Sequence, residues 1–152
     1  QAHAMTEAVR EQIEEIVWSV FAWDGGTARF TPGRDKHREF VRLDIAIPNA
    51  VVEGVRHMPD AKALLARIGT KTTLIARTGV QLDELTLDED EQHLLESIDG
   101  KRALGELVNV PPLAAGVNAR LLYAFFVLGL IVVKAPRGLK VKVATPGDKH
   151  SL

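Results

Sequence analysis

The 152 residues carry 46% hydrophobic and 26% charged side chains, a balance that excludes general disorder and suits one ordinary domain or two very small ones. Nineteen Lys and Arg against 20 Asp and Glu leave a formal charge of -1, so the chain as a whole has no pull toward nucleic acid or anionic lipid, and any basic site must be local. With no cysteine there is no disulfide, thiolate nucleophile or cysteine-bound metal, which fits a cytoplasmic setting.

Residues 1–5 read as a cloning remnant, and the whole as a fragment of a longer chain. From Thr6 to Phe21 the apolar side chains Val9, Ile13, Ile16, Val17, Val20 and Phe21 share an arc about 140° wide, the mark of an amphipathic helix. Trp18 lies outside that arc. It is a candidate contact residue, to be laid over a neighbouring hairpin or against a partner. Asp24, Gly25 and Gly26 should stop the helix and turn the chain into two strands, Thr27–Thr31 and Glu39–Ile47, separated by a polar loop. Pro48 opens a short helix broken near Pro59, and a second helix follows from Asp60 to Ile68. On the first of these, Glu53 and Arg56 are spaced to pair across one turn and to lock the helix to a neighbour or a partner. Thr72–Thr78 has the β-branched content of a strand.

Further on, Thr86 and Glu89 are spaced as a capping box, with the acids from Asp88 to Glu91 on the positive end of a helix that closes at Asp99 and Gly100. A short helix at Ala103–Val108, a break at Pro111 and Pro112, a helix from about Gly116 to Leu128 and a hairpin in LIVVKAPRGLKVKV complete a winged-helix order, with a polar tail beyond. The predicted fold is therefore α+β: a helix, hairpin and short-helix region at 6–80, a winged-helix module at 81–143 and a flexible tail at 144–152. The longest apolar run, Leu121–Val133, is too short to span a membrane.

The stretches VREQIEEIVWSVFAWDGGTARFTPG, LDIAIPNAVVEGVRH and LLESIDGKRALGELVNV, the last followed by ARLLYAFFVLGLIVV, are similar in kind and order to the bacterial PATAN family and the winged-helix module that commonly follows it. The family's amino-terminal strand pair is missing, and His57 stands where its helix motif carries a second arginine. The resemblance implies a signalling module of the kind found beside receiver domains and in systems controlling surface motility, acting by binding partner proteins and without catalysis.

The third winged-helix helix is the one that enters the major groove in DNA-binding members of that architecture. Here Val117, Leu121, Ala124, Phe125 and Leu128 form one apolar side, while Ala119, Leu122, Tyr123 and Phe126 form another. Base reading requires polar side chains. Leu122, Tyr123 and Phe126 therefore point to packing on the preceding half of the chain or on another subunit, giving a homodimer through apolar helix surface. The alternative is a DNA-binding regulator using Asn118 and Arg120 with the basic ribbon Lys134, Arg137, Lys140 and Lys142. The histidines are scattered, the glycines form no phosphate cradle, and no cofactor or metal is expected. Arg34 and Arg38 read as solvated loop charges, with capture of a cyclic dinucleotide as a lesser reading.

Overall fold

A computed structural model describes residues 2–21, 23, 25–27, 29 and 46–135, with side chains in the first helix from residue 7 onward. The fold is α+β. Helices α1 (Ala2–Phe21), α2 (Ile47–Arg56) and α3 (Ala61–Ile68) precede strand β1 (Ile75–Arg77); α4 (Glu89–Glu96), α5 (Leu104–Leu107) and α6 (Ala115–Val127) then lead into β2 (Ile131–Val133). No helix among the described residues is long and apolar enough to cross a membrane.

Local chemistry sets most boundaries. Pro48 sits in the first turn of α2, where its missing N–H costs nothing. Asp60 caps α3 by accepting from the backbone N–H groups of Lys62 and Ala63, both at 3.0 Å. The capping box of α4 is Asp88 with Glu91, two residues beyond the expected Thr86 and Glu89: Asp88 Oδ1 accepts from Glu91 N, and Glu91 Oε2 accepts from Asp88 N. The carboxylate of Asp99 accepts from Lys101 N and Arg102 N, and these two bonds hold its pKa below the ordinary aspartate value. Helix α6 ends in a Schellman turn, in which Gly129 takes a φ of 73° while Gly129 N donates to Phe126 O and Leu130 N to Phe125 O. That turn aims the chain directly into β2.

The expected strand at Thr72–Thr78 finds a partner that its sequence does not name. β2 runs antiparallel to β1, with Ile75 opposite Val133 and Arg77 opposite Ile131. Leu74 in turn bridges Ala103, so the segment after α3 lies between the start of α5 and β2. The pairing carries the core across the expected boundary at residue 80. Val52, Val55, Leu64, Ile68 and Ile75 share one buried cluster with Leu94, Ile98, Leu104, Leu107, Leu121, Leu122, Phe125 and Ile131. Residues 6–80 and 81–143 are thus not two separate cores.

Other expectations fall differently. Ala46 and Ile47, assigned to the second hairpin strand, are the N-cap and first residue of α2, and neither Thr27 nor Arg29 lies in a strand. Residues 30–45, with Arg34, Arg38 and most of the expected hairpin, lie outside the described residues, as do 136–152 with the second wing strand and the tail. The helix in residues 1–5 begins at Ala2.

Most of the two water-avoiding sides of α6 goes inward, although Val117, expected to face the core, is exposed. Leu121, Leu122, Ala124 and Phe125 are all at or below 1% exposure. Together with Asn118 and Ala119 they cover about 220° of the helix circumference at 100° per residue. α6 packs on α2 and α3 and continues into β2. Truncating Leu122 or Phe125 to Ala should cost about 2–5 kcal/mol of unfolding free energy in urea, whereas Val127→Ala, on the exposed strip, should change it by less than about 0.5 kcal/mol. Equal midpoints for the three variants would contradict this placement.

Candidate functional site

Helix α2 is where the candidate contact residues converge. Its glycine, Gly54, is buried, and a Cβ built there would lie 2.5 Å from the ring of Phe21. Only a residue without a side chain lets α1 approach this closely. One turn on, His57 caps α2, and its ring stacks on Trp18 of α1 at 4.7 Å between centroids and 10° between planes. His57 Nδ1 lies 2.8 Å from the carbonyl of Glu53, so this nitrogen is the one that donates. Trp18 therefore meets α2, and the expected hairpin lies outside the described residues.

Arg56 joins two carboxylates. Its Nη1 donates to Glu53 Oε2 at 2.9 Å, and its Nη2 donates to Glu91 Oε1 on α4. Glu91 is buried and simultaneously completes the α4 capping box, so one guanidinium ties the end of α2 to the start of α4. Asn49 Oδ1 adds a further tie by accepting from Thr86 N at 2.8 Å. Between α1 and α2 lies a groove of about 510 Å³ lined by Arg10, Glu14, Val17, Trp18, Ala46, Asn49, Ala50 and Glu53. Arg10 pairs with Glu14 at its rim.

The candidates on α6 have other surroundings. Leu122 is 0% exposed and belongs to the core, which removes it from any surface for a partner. Phe126 is half-buried against the same core. Tyr123 is also half-buried: Arg67 Nη1 donates to its hydroxyl at 3.3 Å, with the guanidinium carbon 5.9 Å from the ring centre. The structure thus brings Trp18, Glu53 and Arg56 together around α2, and leaves Leu122, Tyr123 and Phe126 on a different helix.

The expected DNA donors are engaged internally. Asn118 is 0% exposed and its amide donates to the carbonyls of Val108 and Val110 at 2.9 and 2.7 Å, tying the turn after α5 to α6. Arg120 donates from Nε to Met58 O, from Nη2 to Pro59 O and from Nη1 to Gly116 O, which fixes the α2–α3 connection. Lys134 Nζ donates to Gly100 O at 2.9 Å. Reading a base edge with Asn118 would require unfolding its surroundings, so that role is corrected to a structural one. Arg137, Lys140 and Lys142 lie outside the described residues. Among the described residues no group of three or more His, Cys, Asp or Glu is placed to hold a metal.

Sequence reasoning passed over Gly54 and Glu91. An isolated glycine inside an amphipathic helix signals a close approach, and that signal was present. Glu91 was visible as an acid in a helical first turn, but its partner Arg56 is far away in the chain. No protein-family profile matches the sequence, and neither a curated protein nor a solved structure matches it.

Two substitutions test this site. Asn118→Ala, which leaves buried carbonyls without their donor, should cost about 1–3 kcal/mol in denaturant unfolding. Gly54→Ala should destabilise the wild type yet become neutral or stabilising in a Phe21→Ala background, where only the helix propensity gain of about 1 kcal/mol remains. A Gly54→Ala cost unchanged by removal of the Phe21 ring would show that the two do not compete for space.

Proposed function

We propose that this chain is a non-catalytic, PATAN-like bacterial signalling module that works in the cytoplasm by protein–protein contact, in motility control or two-component-type signalling. The observation that carries the reading is the state of α6: its apolar sides are buried, and Asn118 and Arg120 are bonded to carbonyls of the same chain. A groove-reading helix needs those groups outward. Support comes also from the residues quoted for the resemblance, since Glu53, Gly54 and Arg56 each make a contact that organises α2. Among the outward surfaces is that of α1, with the groove against α2 that Trp18 lines beside it.

Fluorescence anisotropy with an arbitrary duplex at low salt should give no binding, and tight binding that falls steeply with salt would make the chain a DNA-binding regulator. In affinity capture from a bacterial lysate, the wild type should retain a protein that Ile16→Glu, on the outer face of α1, loses and that Lys71→Glu, on a remote loop, keeps. Retention unchanged by Ile16→Glu would remove α1 from the contact surface.

A further inference from the structure

The outer face of α3 and the residues of α5 enclose a groove of about 450 Å³, a size that suits a small organic molecule. Its floor is apolar: Leu104 is buried, and Leu65 and Val108 are half-buried against the core. Lys62, Leu65 and Ala66 share an arc of α3 about 100° wide, on the side away from the buried Leu64 and Ile68. Lys62 stands in the first turn of α3 and Lys71 follows the end of that helix, so a lysine is rooted toward each end of the groove. The backbone under both is fixed. Lys62 N donates to the capping carboxylate of Asp60 at 3.0 Å, and Lys71 O accepts from Gly105 N at 2.9 Å, an approach so close that a Cβ on Gly105 would lie 3.1 Å from the same oxygen.

We propose that this groove binds a small two-headed organic anion, an apolar chain with a carboxylate at each end. Charge decides the class. No acid lines the groove, and the carboxylates beside it in the chain are engaged elsewhere: Asp60 Oδ1 accepts from Lys62 N and Ala63 N, and Glu106 Oε2 accepts from Ala103 N. Among the described residues neither the Lys62 nor the Lys71 ammonium has a hydrogen-bond or salt-bridge partner. The groove between α1 and α2, by contrast, sets Glu14 and Glu53 beside Arg10 and has no such excess of positive charge. A bare inorganic anion would leave Leu65 and Val108 in water, whereas an apolar chain covers them. Two cations on separate elements match one negative charge at each end of that chain. The site is independent of the protein contact proposed for α1, because no residue of α1 lines it.

Titration of the full chain with octanedioate, followed through its backbone amide signals by nuclear magnetic resonance, tests this. The amides of Gly69, Thr70 and Gly105, which line the groove, should shift saturably. Octanediamine, of the same length and opposite charge, should leave them unmoved. Lys71→Glu should weaken octanedioate binding by at least about tenfold. Ala66→Trp keeps both lysines but fills the groove, and it should weaken binding as much. Both positions are exposed, so both variants should keep the wild-type circular dichroism spectrum, which separates loss of the ligand from loss of fold. No saturable shift with octanedioate, or an equal response to octanediamine, overturns the site. Binding indifferent to Ala66→Trp also overturns it, since the lysines would then collect anions without the groove. Protein capture through α1 is read separately, so either proposal can fail while the other stands.

Discussion

Burial of α6 on most of its circumference is the constraint from which the rest of the arrangement follows. A helix with Leu121, Leu122, Ala124 and Phe125 all removed from water needs neighbours on more than one side. The chain supplies them by laying α2 and α3 on α6 and by closing the remaining core with α4, α5 and the short sheet. Polar groups that fall inside this arrangement are paired mainly with backbone, although the buried Oδ1 of Asn118 has no hydrogen-bond partner among the described residues. Asn118 donates to the turn after α5 and Arg120 to the α2–α3 connection. The same residues that make the helix look capable of touching nucleic acid hold loops in place.

Around that centre α2 acts as a junction. Gly54 admits Phe21, His57 stacks on Trp18, and Arg56 reaches Glu91. Glu91 is a buried carboxylate whose two oxygens serve different partners, one the guanidinium and the other the backbone N–H of Asp88. An uncompensated charge at that depth would be costly, and both partners are needed to offset its loss of water. The junction thereby fixes α4 relative to α2 and, through the stacked rings, α1 relative to both.

How far the sequence reveals this depends on the range of each interaction. The helix start at Asp60, Pro48 at a helix start and the bounds of α6 within a residue were readable because they rest on groups within one helical turn. The capping box was displaced by two residues because Thr86 and Asp88 offer equivalent oxygens at the same spacing from an acid, and only the fold selects between them. The two apolar sides of α6 were plain in its residues. What covers them was not, since α2 and α3 lie far earlier in the chain. Val17 and Phe21 looked continuous with Ile16 and Val20 on a helical wheel, and only the position of α2 divides them into an inner and an outer face.

The pairing of Ile75 with Val133 also bears on how the molecule holds together. Bringing those two positions together restricts all the chain between them, and a ladder of three residue pairs returns little for that loss of freedom. The strands therefore depend on the helices they enclose for their register, because the ladder by itself returns too little to draw them together.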